Sequence, residues 1–333
     1  MSGGASRHRL EGLEADNLLA FLALLGVLRA LDAADSRRAA GDRLCARAAW
    51  DLDVGPLRPV LHLARQATQQ EVSSAAAEGV AALVADHDFG GRQNLDYKAA
   101  DSHRTLEEVA LAASQASRGR ADLFAALMSD AAVKLEKAKD PHDAPVDPTP
   151  LCLLWGQGWQ YFLERLAGVP ALPVPSRPGH AATADAAAAC LGQALFAPWR
   201  REDATFAFRW DPDEDVRYAL QAGDPTDDAY KSRTQHGANR LAAVGLAALP
   251  VAPEIRAGRV RPTIPGGAFD RQGFSFAWPV WRDPAPLSAV RGLLAHPDLR
   301  RPGELRHLSV AFTFVARRIA NGKFMNFTRA EAI

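Results

Sequence analysis

The residues best suited to chemistry in this sequence are cations near its C-terminal end that could bind a polyanion. An Asn321-Gly322 pair lies between two alternating runs, at 308–319 and 323–328, and predicts a β-hairpin with a two-residue turn. Basic side chains flank the phenylalanines of both runs: Arg317, Arg318, Lys323 and Arg329. Cations in such a pattern hold a nucleic-acid backbone while aromatic rings stack on bases. We expect the phenylalanines to pack inward and the cations to line the surface.

A second polar cluster precedes an apolar helix predicted at residues 238–249. Its candidate phosphate ligands are Lys231, Arg233, Asn239 and Arg240. The free amides of a helix N-terminus together with cationic side chains can form an anion-binding site. A structural alternative stays open, in which Thr234 or His236 caps the helix and Asn239 bonds to nearby backbone.

Histidine and aspartate side chains between Asp86 and His103 form the pattern that most suggests an enzyme. Asp86 and His87 are adjacent, and further aspartates follow before His103. Metal-assisted phosphodiester hydrolysis would need several such ligands around an open coordination position. The alternative is a solvent-exposed polar loop, and the sequence has no phosphate-binding loop or nucleophile motif. We therefore predict no catalytic residue, metal ligand or cofactor, with a metal-dependent nuclease or hydrolase as the rival function.

Charge is unevenly distributed along the chain, although 39 basic side chains balance 39 acidic ones. From Glu254 onward thirteen Lys and Arg stand against six Asp and Glu, a surplus of seven positive charges. Residues 202–228 carry nine carboxylates against two arginines. A basic surface that faces a polyanion and an acidic surface that faces other partners would follow from this asymmetry. Two parts of the chain whose charges meet internally would explain it equally well.

These side chains must be positioned by a chain whose patterns predict an α+β fold. The block at 18–31 is apolar on every side, which predicts a central buried helix. That helix is too short to span a bilayer, which takes about 20 residues. A proline-rich stretch at 140–150 predicts two closely packed lobes: a helix-rich N-terminal lobe (1–140) and a mixed α+β C-terminal lobe with a basic end and a terminal β-hairpin (151–333).

Two further elements and a compartment can be predicted from the same patterns. Residues 123–139 are expected to form a helix. Residues 205–210, where Phe206, Phe208 and Trp210 alternate, are expected to form a half-buried strand. Three widely spaced cysteines make a disulfide framework improbable and predict a reducing cytoplasm, with no membrane as partner.

Several sequence phrases resemble proteins encoded in type I-G (formerly I-U) CRISPR loci, whose large or accessory effector subunits open with a similar block. The phrases lie at 12–31, 149–151 with 155–163, 209–212 with 215–219, 237–241 and 276–281. The resemblance implies a non-catalytic subunit of a Cascade-like interference complex. Such a subunit would contact guide RNA or target DNA and would assemble with other CRISPR effector subunits. A protein–protein adaptor without nucleic-acid contact is a third possibility.

Overall fold

The computed structural model describes residues 5–115, 118–154, 161–175, 183–203, 205–214, 233–256, 258–321 and 324–333. Eight α-helices lie within these ranges: α1 (Leu18–Asp35), α2 (Gln69–Leu83), α3 (Ala99–Ala113), α4 (Gly119–Leu127), α5 (Phe162–Ala171), α6 (Ala184–Phe196), α7 (His236–Gly245) and α8 (Leu287–Leu294). In the same ranges, no helix is both long enough and apolar enough to cross a membrane.

Ten strands are described in the same ranges: β1 (Ser6–Arg9), β2 (Arg47–Asp51), β3 (Arg58–Leu63), β4 (Ala252–Arg256), β5 (Arg259–Thr263), β6 (Gly267–Asp270), β7 (Gly273–Trp281), β8 (Val310–Asn321), β9 (Phe324–Phe327) and β10 (Glu331–Ala332). Helices dominate the N-terminal part and strands the C-terminal part, which confirms the predicted α+β fold class.

Helix α1 lies at the centre of the fold because it is apolar on every side. The Asn17 side chain caps its first turn by accepting the Ala20 amide at 3.3 Å, and its Nδ2 donates to Asp211 at 2.9 Å. Helices α2 and α7 pack directly against α1. The approach of α7 requires glycine, since a Cβ on Gly26 would lie 1.9 Å from the carbonyl oxygen of Leu241. The expected buried helix is therefore confirmed.

The strands form three antiparallel sheets. The N-terminal sheet has the order β1-β3-β2, and the large C-terminal sheet has the order β10-β8-β7-β6, with β9 also paired to β8. Strands β4 and β5 make a separate two-stranded ribbon. In the closing hairpin Asn321 of β8 lies opposite Phe324 of β9, as the sequence predicts. The turn residues 322–323 lie outside the described ranges.

The N-terminal and C-terminal parts share one hydrophobic core. Trp278 of β7 stacks on Phe21 of α1, with ring centroids 5.3 Å apart. Trp281 meets Trp50 of β2 edge to face at 6.0 Å. Aromatic pairs of this geometry stabilise a core beyond the area that they bury. The two parts are therefore closely packed, and their division into lobes at 140–150 stays a prediction.

Four of the phrases that carry the CRISPR resemblance, at 12–31, 149–151, 209–212 and 276–281, meet at the N-terminal end of α1, while residues 155–160 and 215–219 lie outside the described ranges. The Leu19 amide donates to the Trp210 carbonyl at 3.1 Å, and the Trp210 indole donates to the Leu151 carbonyl at 2.8 Å. The Trp278 indole donates to the Ala15 carbonyl at 3.1 Å. A buried indole N–H needs such a partner. In the described residues these phrases therefore build the core.

The helix expected at 123–139 is only partly formed. It is α4, which ends at Leu127. Ser129 then accepts the Ala131 amide at 3.3 Å, a local side-chain bond that competes with helix continuation. Val133 beyond this turn forms a β-bridge with Val146, so the chain runs back alongside the 140–150 stretch.

The strand expected at 205–210 is not formed. Arg209 has φ of 64°, in the left-handed region, and this interrupts the alternation on which the prediction depends. Phe208 still stacks on Trp210 at 4.4 Å inside the core, but Phe206 is 61% exposed. The alternating pattern thus correctly placed Phe208 and Trp210 in the core, but the prediction of a strand was wrong.

Candidate nucleic-acid interface

The polar cluster predicted at the start of α7 is largely buried. Asn239 donates to the Thr234 hydroxyl at 2.8 Å, and only 1% of the residue is exposed. Arg240 is 2% exposed and donates to the carbonyls of Pro170 at 3.3 Å and Pro173 at 2.9 Å. These carbonyls lie at the C-terminal end of α5, where a helix lacks internal donors. Arg240 therefore holds the end of α5 to α7, Asn239 bonds locally at the start of α7, and neither side chain presents a surface to a phosphate.

Of the other polar side chains in this cluster, His236 is buried and Arg233 is exposed. His236 donates from Nε2 to the Leu172 carbonyl at 2.8 Å, and burial lowers the pKa of its imidazole to about 4. Arg233 is exposed and donates to the Glu202 carbonyl at 3.3 Å. Lys231 lies outside the described residues. Of the predicted phosphate ligands described here, only Arg233 reaches the surface.

The Asp86-His87 pair of the rival metal site has a structural role. Pro170 lies inside α5 and has no N–H, so the Leu166 carbonyl four residues earlier lacks its helical donor. His87 supplies that donor from Nδ1 at 2.8 Å. Burial first, and the charge of Arg29 second, lower the pKa of His87 to about 4. The neighbouring Asp86 forms an ion pair with Arg29 at 3.4 Å, and both side chains are largely buried.

The other residues of the rival site do not converge on this pair. His103 is exposed and pairs with Asp130 at 2.8 Å, which raises its pKa. Asp88 accepts the amide of Gly90 at 2.9 Å in a local turn. Within the described ranges, no three His, Cys, Asp or Glu side chains come together as a metal site would require.

Two of the predicted cations on strand β8 lie at different depths. Arg317 is exposed and pairs with Asp270 at 2.8 Å. Arg318 is half-buried, donates to the Pro150 carbonyl at 3.1 Å and lies 5.4 Å from the centre of the Phe274 ring. Lys323 is outside the described residues.

Arg329 is the centre of an ion-pair network. Its guanidinium donates to Glu14 at 2.8 Å, to Asp16 at 2.7 Å and to Asp213 at 3.1 Å from Nε. The hydrogen bond with Asp213 first, and those with Glu14 and Asp16 after it, raise the pKa of Arg329. Arg329 of the basic C-terminal part is thus paired with acids within the protein. For this residue the explanation in which opposite charges of the chain meet internally is the correct one.

Two unpaired arginines lie on the ribbon of β4 and β5, which we call the arginine hairpin (residues 252–263). Arg256 and Arg259 are directly opposite each other beside the turn, both exposed and without an ion-pair or hydrogen-bond partner among the described residues. Ile255, on the other face of the ribbon, is 79% exposed. Like charges directly opposite destabilise a strand pair. The strand register thus places two like charges opposite each other at the exposed end of the ribbon.

Sequence reasoning missed this hairpin, although a signal was present. Two short alternating runs flank an Ala-Gly pair at 257–258, and Gly258 adopts φ of 72°. That conformation favours glycine, so the pair could have been recognised as a turn. Arg256 and Arg259 already belonged to the basic surplus counted after Glu254.

A cleft of 420 Å³, which we call the basic groove, runs beside the arginine hairpin. Its cations are Lys134, Arg259, Arg261 and Arg318, and its acids are Glu136 and Asp147. Lys134 pairs with Asp147 at 2.7 Å, while Arg261 lies 5.5 Å from the centre of the Phe269 ring. Apolar side chains such as Val260 and Met325 complete the lining. Cations with apolar and aromatic surface between them suit a nucleic-acid strand.

The groove holds groups for binding and lacks an activated nucleophile among its described residues. Cys152 lines it, but full burial raises the pKa of its thiol, so the thiol stays neutral. No protein-family model, curated protein or solved structure matches the chain. Binding of an anionic chain is what this surface can do chemically.

Proposed function

We propose that the protein is a non-catalytic subunit of a type I CRISPR interference complex that contacts guide RNA or target DNA. The sequence resemblance supports the assembly. The arginine hairpin and the basic groove support the nucleic-acid contact. In such complexes base pairing reads the sequence, so a subunit needs phosphate contacts and shape recognition more than chemistry.

The observation that carries the proposal is the cross-strand pair of Arg256 and Arg259. Two like charges directly opposite each other destabilise a strand pair. Glu254 lies in the adjacent same-face pair, opposite Arg261, and neither Arg256 nor Arg259 has an ion-pair partner among the described residues to neutralise this repulsion. A phosphate backbone would offset it, because arginine donates two parallel hydrogen bonds to phosphate oxygens.

The zero net charge of the chain fits a subunit better than a free-standing nucleic-acid binder. A basic feature on a neutral protein gives weak binding on its own, since non-specific affinity scales with the number of phosphates contacted.

A binding measurement with matched variants tests the proposal. The hairpin variant, Arg256→Gln/Arg259→Gln, removes two exposed charges. The control variant, Arg282→Gln/Arg306→Gln, also removes two exposed charges, away from the ribbon. Fluorescence anisotropy with labelled single-stranded RNA of about 20 nucleotides measures the affinity. We expect the hairpin variant to bind about tenfold more weakly than the control variant at low salt.

Assembly provides the second part of the test. The chain is co-expressed with the effector genes encoded beside it, and the purified complex is analysed for RNA of guide length. We expect the wild-type complex to retain RNA and the hairpin variant to assemble with less of it. Two results together would contradict the proposal and favour an adaptor. The complex would contain the same amount of RNA with and without this chain, and the hairpin and control variants would bind RNA with equal affinity.

A further inference from the structure

A second row of basic side chains lies on the N-terminal sheet. The strand register places Arg7 of β1 opposite His62 of β3, and His62 opposite Arg47 of β2. Directly opposed residues point to the same face of an antiparallel sheet. The three side chains therefore form one line across the sheet, which we call the arginine row. Since neighbouring strands are about 4.8 Å apart, its two arginines are about 10 Å apart at the Cα atoms.

Both arginines of the row are available to a ligand. Arg7 and Arg47 are exposed, and neither has an ion-pair or side-chain hydrogen-bond partner in the described part of the chain. Arg9 and Arg58 differ, although they lie on β1 and β3 of the same sheet. Arg9 binds Asp51 at 2.9 Å, and Arg58 donates to the Glu11 carbonyl at 2.9 Å. Two of the four arginines on β1, β2 and β3 thus bind other parts of the protein. The other two, Arg7 and Arg47, are unpaired among the described residues.

The imidazole of His62 lies close enough to Arg7 to be affected by its positive charge. Burial first, and the charge of Arg7 second, lower the pKa of His62. The neutral ring lies half-buried between the two arginines, where it can donate one N–H to an anion without adding charge.

A cleft lined by two arginines and two aspartates lies beside the edge of the sheet. Arg47 borders this cleft of 520 Å³, and Arg43 also lines it. Of the two acids there, Asp35 is buried and already accepts the amides of Leu44 at 2.9 Å and Cys45 at 2.7 Å. The remaining acid of the cleft, Asp32, is exposed and forms no ion pair with Arg43 or Arg47.

We infer that the arginine row binds the phosphodiester backbone of a nucleic acid, as a contact separate from the arginine hairpin. The inference rests on the proposed nucleic-acid function and adds a second binding surface on a different sheet. Two exposed arginines whose Cα atoms lie about two strand spacings apart on one face of a sheet suit an extended chain of phosphates. Two contacts on one chain also raise affinity beyond that of either contact, by increasing the effective concentration at the second.

The test compares three double variants with labelled single-stranded RNA of about 20 nucleotides. The row variant is Arg7→Gln/Arg47→Gln, and the hairpin and control variants are those defined above. Each phosphate contact to a single strand contributes about 0.7 to the log–log salt slope, so two contacts contribute about 1.4. We expect the row variant to lose about tenfold in affinity at low salt and about 1.4 in slope, with an unchanged melting temperature.

Different results separate the inference from the proposed function. If the row variant binds RNA like the control variant while the hairpin variant binds weakly, the inference fails and the proposed function stands. If wild-type protein binds no RNA alone or in the complex, both fail. Polyglutamate of matched charge is the competitor: displacement of RNA by polyglutamate at equal charge concentration would overturn the inference in favour of an acidic protein partner.

Discussion

Acidification should destabilise the protein through His87. The imidazole is buried and neutral, with its Nδ1 proton bound to the carbonyl that Pro170 leaves free in α5. Its pKa is about 4 in the folded protein, against 6.5 for an unperturbed histidine. A lowered folded-state pKa means that the unfolded chain binds more protons between these values. Stability is therefore complete above pH 6.5 and falls as the pH drops towards 4.

The size of the effect follows from the two pKa values. At pH 5 the unfolded histidine is almost fully protonated and the folded one is almost fully neutral. Linkage then predicts a loss of about 2 kcal/mol between pH 7.5 and pH 5 from this one group. Glu214 acts in the opposite sense, because burial first and Asp211 second raise its pKa to about 7.

A comparison of variants isolates the contribution of His87 from that of Glu214. Urea unfolding at pH 7.5 and pH 5 is measured for wild type and for His87→Gln, whose amide can still donate to Leu166. Glu214, and His236 with its own lowered pKa, are present in both proteins and cancel in the difference. Wild type should lose about 2 kcal/mol more than the variant on acidification. An equal loss in both proteins would refute a neutral, carbonyl-bound His87.

Two packing predictions concern helix α1. Phe21→Ala should lower the free energy of unfolding by about 3–5 kcal/mol, because Phe21 is 1% exposed and stacks on Trp278; an unchanged denaturation midpoint would exclude a buried α1. Gly26→Ala should cost about 3 kcal/mol or more, since the added methyl group meets the Leu241 carbonyl. Gly168 of α5 is the control, because no atom lies within 4 Å of a Cβ added there. Gly168→Ala should raise the free energy of unfolding by about 0.5–1 kcal/mol. Equal effects of the two glycine substitutions would contradict the close packing of α1 against α7.

Elements with a strong local pattern could be predicted from the sequence. The apolar block of α1 requires burial on all sides. The Asn-Gly pair at 321–322 identified the hairpin of β8 and β9. Helix α4 ended early and the 205–210 strand did not form, because a serine turn and a left-handed Arg209 override the periodicity.

The roles of individual polar side chains depend on distant partners and could not be predicted in the same way. Arg240 binds a carbonyl 70 positions away, and His87 binds one 79 positions away. A polar residue at a helix start has the same sequence pattern whether it meets a phosphate or a carbonyl. Arg256 and Arg259 were part of a counted charge surplus, but only the strand register shows that they lie opposite each other.

The salt dependence of RNA binding by the hairpin variant tests the central claim most directly. Anisotropy titrations of wild type, the hairpin variant and the control variant over a series of salt concentrations give the log–log slope for each protein. If Arg256 and Arg259 contact phosphates, the hairpin variant should lose about 1.4 in slope, while the control variant keeps the wild-type value. Equal slopes and affinities in the three proteins, with melting temperatures unchanged, would show that the arginine hairpin contacts no nucleic acid.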